Sequence, residues 1–260
     1  MTKRAIRWSL AAAGTILLSS FLPSPPARAQ GSIDPQAREI ATRAVAAMGG
    51  QAAWENLRWV RFRFAGNRTH WWDKHTGRHR VELTRRDGDH YIVLQNLNTR
   101  EGQAFKNGQE LSGEEARQAL DNAYGAWIND TYWLLMPFKM TDPGVILAPA
   151  GEETIDGNVY DKLHLRFEKV GLTPGDQYWV FVNRSTGLID RWSYILESFE
   201  PGRAATVWQW RDWQSYGPLK LSGTRFNLTA NQTLGLDRIE VGVEMPDSVF
   251  TVSEPMPEPK

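Results

Sequence analysis

Cysteine is absent from this chain of 260 residues. Its absence excludes disulfides, thiolate metal sites, a cysteine nucleophile and an acylated N-terminal cysteine. An excess of positive charge is also lacking, since 30 basic side chains balance 30 acidic ones. The first 29 residues hold four of the basic side chains and no acid, so the rest of the chain has a net charge of −4. Because this mild acidity is not typical of nucleic-acid-binding proteins, we expect no nucleic-acid partner.

Long apolar runs are confined to the N-terminus. Met1–Arg7 is a basic start, Trp8–Leu22 is an apolar run, and Ala27–Ala29 has the A-x-A form of a cleavage site. The run is shorter than the roughly 20 residues of a membrane-spanning helix, so an uncleaved anchor is the less favoured alternative. We predict that residues 1–29 are a cleaved signal peptide and that the mature protein begins near Gln30, in the periplasm.

One helix is predicted before the first strand. Asp34-Pro35 has the form of an N-cap followed by proline at the first helical position, and Gly49-Gly50 marks the end. Between them, apolar residues recur at helical spacing: Ala37, Ile40, Ala41, Ala44, Val45 and Met48. This narrow, alanine-rich stripe is suited to packing closely on a sheet. Gln51–Asn56 is expected to add one more turn, with Trp54 as its anchor.

From Trp59 onwards, apolar and polar residues alternate. The apolar sets are Val60, Phe62 and Phe64; Leu163, Leu165 and Phe167; and Phe226 with Leu228. Strict alternation is typical of an antiparallel sheet with one buried and one solvated face. Turn-forming pairs separate the runs as hairpins require: Thr76-Gly77, Asp87-Gly88, Asn107-Gly108 and Asp156-Gly157. The pattern predicts about nine to eleven strands.

A second helix is predicted to interrupt the strands. Ser112–Glu115 has the capping-box form, and apolar residues at helical spacing follow as far as Ala123. Tyr132–Met140 is then the most apolar internal segment, and we expect Pro137 to prevent a straight helix through it. The proline-rich end, residues 254–260, is expected to be a disordered tail. No low-complexity linker or repeat divides the chain, which favours one domain.

Three segments resemble proteins of the outer-membrane lipoprotein-sorting (LolA-like) superfamily, which are periplasmic. They are Met48–Val60, Trp133–Met140 and the hairpin from Tyr160 to Trp192. The chain is similar to a branch of that superfamily other than the lipoprotein chaperone itself. The resemblance implies an α+β fold over residues 30–253: a single highly curved antiparallel sheet, an incomplete β-barrel, with a few helices covering its concave face. It also implies a hollow that holds acyl chains, and it carries over no catalytic residue.

The function expected from these observations is non-catalytic binding or carrying of a hydrophobic ligand in the concave face, such as a lipid acyl chain. A lipoprotein or a membrane would be the partner in delivery, and we expect a monomer. The adaptable methionines of the apolar segment suit such a contact, and two tryptophans share one strand face in the core or in a cavity wall. The candidate ligand-binding residues are Trp133, Leu134, Met136, Phe138, Met140, Trp208 and Trp210.

A different class of function stays open, namely a glycan-binding module or hydrolase of the cell envelope. Trp71-Trp72 and Trp213, with the two strand tryptophans, could form an aromatic platform, and paired acids occur at Glu152-Glu153, Asp87–Asp89 and Glu114-Glu115. These acids lie mostly in turns and helix starts, where carboxylates are favoured as caps. No G-x-S-x-G, phosphate-binding loop or H-E-x-x-H motif supports hydrolysis or nucleotide binding, so no catalytic residue is assigned.

Four of the five histidines fall between His70 and His90. His75 and His79 have the separation of a zinc pair on a helix, but Thr76-Gly77 makes this segment a turn. No third ligand is evident beyond Asp73 and Glu82. We therefore favour surface histidines over a metal site, and expect neither a metal nor a cofactor.

Overall fold

The computed structural model describes residues 31–257, so the predicted signal peptide lies outside the described residues. The helices are α1 (Pro35–Ala47), α2 (Gln51–Asn56) and α3 (Gly113–Leu135). The strands are β1 (Trp59–Phe64), β2 (Arg68–Asp73), β3 (Arg78–Thr84), β4 (His90–Asn96), β5 (Gly102–Lys106), β6 (Gln109–Glu110), β7 (Val145–Ile155), β8 (Asn158–Phe167), β9 (Gln177–Asn183), β10 (Ile189–Ile195), β11 (Thr206–Tyr216), β12 (Leu219–Asn227) and β13 (Gln232–Val241). Within residues 31–257, no helix has both the length and the apolar character needed to cross a membrane.

The thirteen strands form one antiparallel sheet, in the order β6-β5-β4-β3-β2-β1-β13-β12-β11-β10-β9-β8-β7. Strands β1 to β6 run outward to one edge as successive hairpins. Helix α3 then carries the chain to the opposite edge, β7, and β7 to β13 return until β13 pairs with β1. The α+β class with a curved, open antiparallel sheet is therefore confirmed, and all four predicted hairpin turns join neighbouring strands. The thirteen strands exceed the nine to eleven that we predicted.

The first helix begins and ends as the sequence predicts. The Asp34 carboxylate accepts hydrogen bonds from the backbone N–H groups of Gln36 (2.8 Å) and Ala37 (3.2 Å), two of the donors left free at a helix start. Gly49 ends the helix at a φ of 112°, which glycine adopts without strain. Just before the helix, the backbone pairs with edge strand β7, because Asp34 N–H donates to the carbonyl of Leu147 at 2.9 Å. This pairing covers part of an otherwise open sheet edge.

The second predicted helix is longer than expected. It runs for 23 residues to Leu135, and a 3₁₀ turn, Met136–Lys139, follows it. The apolar segment that we expected to be irregular therefore begins as the last turn of α3. The predicted capping box is not formed, because the Ser112 side chain makes no capping hydrogen bond. Pro137 ends the α-helix as expected, since it has no N–H to donate to the carbonyl four residues earlier.

The helices bury apolar faces against the concave face of the sheet. The alanine-rich stripe of α1 packs on the inner residues of β7 to β11, including Leu147, Leu163 and Trp192. The end of α3 packs Leu134 and Leu135 against the β1 residues predicted to be buried. The start of α3 packs Ala119, Leu120 and Ala123 on Val81, Val93 and Ala104.

The opposite face of β1 to β3 is also covered, which corrects the expectation of a solvated face there. A second 3₁₀ turn, Asp247–Phe250, follows β13 and lies on this face. Its Val249 and Phe250 pack with Met245 against Trp59 and Trp71. Local alternation could not predict this, because the covering segment is distant in the sequence.

The buried Arg80 fixes the end of the described chain. Its guanidinium donates to the carbonyl oxygens of Val252 (2.6 Å) and Glu254 (2.5 Å), and the Glu82 carboxylate accepts from Met256 N–H at 2.9 Å. Residues 254–256 are therefore tied to β3. The disorder predicted for the tail stays a prediction for residues 258–260, which lie outside the described residues.

Strand β12 presents the opposite face from the one predicted. Arg225 and Asn227 are buried, whereas Leu228 is 41% exposed and Phe226 stacks under the Arg211 guanidinium at 4.0 Å. The prediction that Phe226 and Leu228 face the core is wrong. The reason is that Arg225 finds acceptors inside the protein, which compensates for its burial.

Candidate functional site

A cavity of about 540 Å³ lies between the second half of α3 and strands β8 to β10. Helix α3 lines it with Tyr124, Ile128 and Tyr132, which share one helix face because they are four residues apart. The sheet contributes Phe167, Tyr178, Trp192 and Tyr194. A cavity of this size lies within the range of small-molecule sites, roughly 300 to 1,000 Å³.

Aromatic rings in mutual contact form the inner wall of the cavity. The ring centroid of Tyr132 lies 5.4 Å from that of Tyr178 and 6.1 Å from that of Trp192. Trp133 meets Trp192 edge to face at 4.9 Å, with 74° between the ring planes. The wall is therefore a continuous set of packed aromatic rings.

The carboxylate of Asp176 at the cavity is already hydrogen-bonded to other groups of the protein. Asp176 accepts hydrogen bonds from the Thr173 hydroxyl (2.7 Å), the Tyr178 hydroxyl (3.3 Å) and the backbone N–H of Glu197 (2.9 Å). Burial raises the pKa of Tyr178, and the adjacent Asp176 carboxylate raises it further. Tyr178 therefore remains a neutral donor to Asp176.

A second polar group at the cavity has no partner. The Tyr132 hydroxyl is buried and makes no hydrogen bond within the described residues. Burial raises the pKa of Tyr132 well above its usual value, and the charges of Asp142 and Asp176 act in the same direction. Tyr132 thus lines the cavity with its ring, while its neutral hydroxyl is enclosed by the protein and unpaired.

The connection between β8 and β9, residues 168–176, closes one side of the cavity, and we call it the flap. Its Leu172 is 57% exposed, although it also lines the cavity. A Cβ atom on Gly125 of α3 would lie 3.7 Å from Leu172 Cδ1, so this leucine reaches over the helix. Gly175 N–H donates to the Glu197 carboxylate at 2.8 Å, which ties the far end of the flap to the β10–β11 connection.

The seven predicted ligand-binding residues are placed in two environments. Trp133 lines the cavity. Leu134, Met136, Phe138 and Met140 are at most 2% exposed and belong to the packed core beneath the helices. Trp208 and Trp210 lie in the same core, as their shared strand face predicted, and neither lines the cavity.

Sequence reasoning missed most of the cavity wall. Tyr124, Ile128 and Tyr132 carry a helical spacing signal, but the helix was predicted to end before it reached them. Tyr178 and Tyr194 are directly paired across β9 and β10, and that register is set by the hairpin. A predicted helix that continued to Leu135 would have included the three α3 residues. Tyr178 and Tyr194 can be identified only when the pairing of β9 with β10 is known.

A separate buried polar network joins α3 to the other half of the sheet. Asp130 of α3 accepts from both Nε (2.7 Å) and Nη2 (2.8 Å) of Arg68, and lies 2.9 Å from His70 Nε2. His70 Nδ1 is 3.0 Å from His79 Nε2, and His79 Nδ1 is 3.0 Å from Gln95 Nε2. The expectation of surface histidines is therefore wrong for His70 and His79.

The hydrogen bonds of this network form one chain of donors and acceptors. If the Asp130 carboxylate accepts from His70, then His70 accepts from His79, and His79 accepts from Gln95. Burial lowers the pKa of His79 well below its usual value, and His70 lowers it further. Burial alone would raise the pKa of Asp130, but hydrogen bonds from His70 and Arg68 outweigh it and lower that pKa.

The features behind the alternative function do not form a site. Each acid pair has at least one member in an ion pair, for example Glu153 with Lys162 (3.1 Å), Asp89 with Lys106 (2.6 Å) and Glu114 with Arg117. Trp71 is buried beneath the C-terminal segment. His75 is exposed in a turn while His79 is buried, so they diverge. Across the described part of the chain, no three His, Asp or Glu side chains are grouped to hold a metal ion.

Solved structures of similar fold were found, whereas no protein-family model and no curated protein matches the chain. A DUF1329 family protein from Desulfovibrio piger is 12% identical, over 84% of this chain and 98% of that one, with a TM-score of 0.45. A LolA superfamily protein from Nitrosomonas europaea is 14% identical, over 83% and 97%, with a TM-score of 0.47. A proposed outer membrane lipoprotein-sorting protein domain from Vibrio parahaemolyticus is 8% identical, over 83% and 96%, with a TM-score of 0.42. These likenesses concern the fold alone and assign no ligand.

Proposed function

We propose that this protein binds a hydrophobic molecule of the lipid acyl-chain class in the cavity between α3 and β8 to β10, and does not convert it chemically. The observation that carries the proposal is the cavity itself: about 540 Å³, walled by aromatic and aliphatic side chains. The interior of a folded protein is normally close-packed, so an apolar space of this size is a site for an apolar occupant.

The flap supports the proposal because it offers a way in. Leu172 is both a cavity residue and an exposed apolar side chain. Much of the rest of the wall is built on helix α3 and strands β8 to β10. We therefore place the entrance for a ligand at the flap.

Binding should depend on chain length. Each buried methylene contributes about 0.8 kcal/mol, which corresponds to a roughly fourfold tighter dissociation constant. Affinity should rise at this rate as the chain is lengthened, and should stop rising when the cavity is full.

We further propose that the protein acts in the periplasm, as a carrier or sensor of this ligand. A lipoprotein or a membrane supplies the ligand. This part rests on the N-terminal pattern of residues 1–29, and N-terminal sequencing of protein taken from the envelope should begin at or near Gln30. A mature protein that retains Trp8 would contradict it.

Binding can be tested with N-phenyl-1-naphthylamine, an uncharged apolar fluorophore, and the delipidated protein. We expect saturable fluorescence enhancement, and displacement of the fluorophore by acyl chains. Leu172→Asp should weaken binding several-fold, because it places a charge at the apolar entrance.

Val243→Asp is the matched control, since Val243 is 56% exposed and does not line the cavity. Both variants should keep the circular dichroism spectrum of the wild type. If the wild-type protein neither binds the fluorophore nor any acyl chain, the proposed function is wrong.

A further inference from the structure

The flap beside the cavity is fixed to the rest of the protein at both of its ends. At its start, Glu168 N–H donates to the Gly144 carbonyl at 2.8 Å. Val170 then lies so close to Gly144 that a Cβ atom there would be 2.4 Å from Val170 Cγ1. At its other end, Gly175 N–H donates to the Glu197 carboxylate at 2.8 Å. Neither end can therefore move without losing a hydrogen bond.

The tip of the flap, Gly171-Leu172, is held much less firmly. Within residues 31–257, neither of these two residues takes part in a hydrogen bond. Gly171 has a φ of 83°, which glycine adopts without strain, and more than half of the Leu172 surface is exposed. A segment with few buried contacts and no hydrogen bonds opens at little cost. The tip is therefore the part of the flap that can move.

Leu172 meets helix α3 at a point where the helix has no side chain. Gly125 lies inside α3 and lines the cavity, and a Cβ atom on it would be 3.7 Å from Leu172 Cδ1. Apart from the helix around it, no other atom of the described residues lies within 4 Å of that position. Glycine weakens the interior of a helix relative to alanine, and nothing in the backbone of α3 requires it here. The bare backbone at Gly125 thus forms a shallow seat for the Leu172 side chain.

We propose that Leu172 and Gly125 form a gate to the cavity. In the closed state the Leu172 side chain rests on the helix at Gly125, and the flap tip moves away from the helix when a ligand enters or leaves. The inference rests on the proposed function, since it assigns the control of entry into the same cavity to these two residues.

A gate and an ordinary wall residue differ in their effect on binding rates. A residue that only contacts the bound ligand slows its release, so its truncation speeds dissociation and leaves association unchanged. A gate obstructs passage in both directions. Its truncation therefore speeds association and dissociation together, and the dissociation constant changes much less than either rate.

The first test measures both rates by stopped-flow fluorescence, with N-phenyl-1-naphthylamine and the delipidated protein. Leu172→Ala should raise the association and dissociation rate constants by about fivefold each, and should change Kd by less than about threefold. Val243→Ala is the control, because Val243 is as exposed as Leu172 but does not line the cavity. It should leave both rates as they are.

The second test locks the gate. The chain has no cysteine, so Gly125→Cys combined with Leu172→Cys introduces its only two thiols. Linking them with a short bifunctional methanethiosulfonate, before the fluorophore is added, should slow its uptake about tenfold or more. Dithiothreitol, which cleaves the link, should restore the uptake. Each single-cysteine variant, treated in the same way, should show no such arrest.

The outcomes separate this inference from the proposed function. If Leu172→Ala does not raise the association rate, or the linked protein takes up the fluorophore as fast as the reduced one, the gate is overturned and the cavity remains a lipid site with another entrance. Failure of the two thiols to become linked in the folded protein would also overturn it, because the closed gate places them side by side. If the wild-type protein does not bind the fluorophore at all, the proposed function fails, and the inference fails with it.

Discussion

At the scale of single residues, Arg225 donates the hydrogen bond that is missing where Pro137 ends helix α3. Its side chain is fully buried. Pro137 cannot donate to the Trp133 carbonyl, and Arg225 Nη2 donates to it instead at 2.5 Å. The other nitrogen, Nη1, donates to the Ser222 hydroxyl at 2.6 Å, and the guanidinium lies 3.5 Å from the ring centroid of Trp210. Arg225 thus holds Trp133, a cavity residue, in place.

Arg225→Met should therefore destabilise the protein. It keeps most of the apolar volume but leaves the buried carbonyl of Trp133 and the Ser222 hydroxyl without a donor, at a cost of about 3 kcal/mol in the free energy of unfolding. Urea denaturation measures this cost. Arg211→Met, on the exposed face of the neighbouring strand, should change stability by about 0.5 kcal/mol or less. Equal stabilities of the two variants would contradict the role given to Arg225.

His79 predicts a loss of stability in mild acid. Its pKa is lower in the folded protein than the ordinary value near 6.5, so the unfolded chain binds the proton more readily. The stabilising contribution of neutral His79 is complete above about pH 6.5 and is lost as the pH falls below it, by up to about 1.4 kcal/mol per pH unit. His164, whose pKa burial also lowers, acts in the same direction.

Comparing two histidine variants shows how much of this pH dependence comes from His79. His79→Gln should flatten the decline of unfolding free energy below pH 6.5, whereas His75→Gln, in an exposed turn, should leave it unchanged. Chemical denaturation at a series of pH values gives both curves. Parallel curves for wild type and His79→Gln would show that the buried histidine is not the acid-sensitive group.

At the scale of elements, Gly125 marks the point where helix α3 meets Leu172 of the flap. Gly125 lies inside the helix, where glycine costs about 0.5 to 1 kcal/mol relative to alanine, and a Cβ there would meet Leu172 Cδ1 at an ordinary 3.7 Å. Gly125→Ala should raise the free energy of unfolding by about 0.5 to 1 kcal/mol. Gly49→Ala should lower it, because Gly49 has a φ of 112° and its Cβ would lie 2.3 Å from the Pro218 carbonyl oxygen. Thermal unfolding of both variants checks the opposite signs.

Elements governed by local chemistry were predictable from the sequence. The N-cap of α1, its glycine end and the hairpin turns each depend on residues close together in the chain. The length of α3 could not be predicted from the sequence. Its last turn is stabilised by packing on β1 and by Arg225, which lies about 90 residues further along the chain. For the same reason, the burial of Phe226 and of the histidines was predicted wrongly: distant acceptors decide which polar side chains can be buried.

At the scale of the whole molecule, the topology determines where a cavity can form. The sheet runs from one edge to the other through β1 and β13, and α3 crosses its concave face between the two edges. The buried Asp130 network fixes α3 to β2 and β3, on the side away from the cavity. On the other side, the helix and strands β8 to β10 are separated by the cavity and bridged by the flap. The resemblance to the LolA-like superfamily predicted a hollow in the sheet. The order of helices and strands along the chain did not show where that hollow lies.

The candidate site was therefore only partly predictable. Trp133, from the apolar segment around Pro137, lines the cavity, whereas the neighbouring Leu134, Met136 and Phe138 belong to the packed core. Apolar character alone does not separate a side chain that fills the core from one that lines a cavity. That distinction depends on the space left between α3 and β9, which is set by the whole sheet.

The central claim, that this cavity holds an apolar ligand, is tested most directly by native mass spectrometry of the protein purified without delipidation from the envelope of its own host. Wild-type protein and Val243→Asp should carry a bound lipid of defined mass, and Leu172→Asp should have lost most of it. Wild-type protein that is recovered without any bound lipid, and that takes up none when acyl chains are added, would contradict the account.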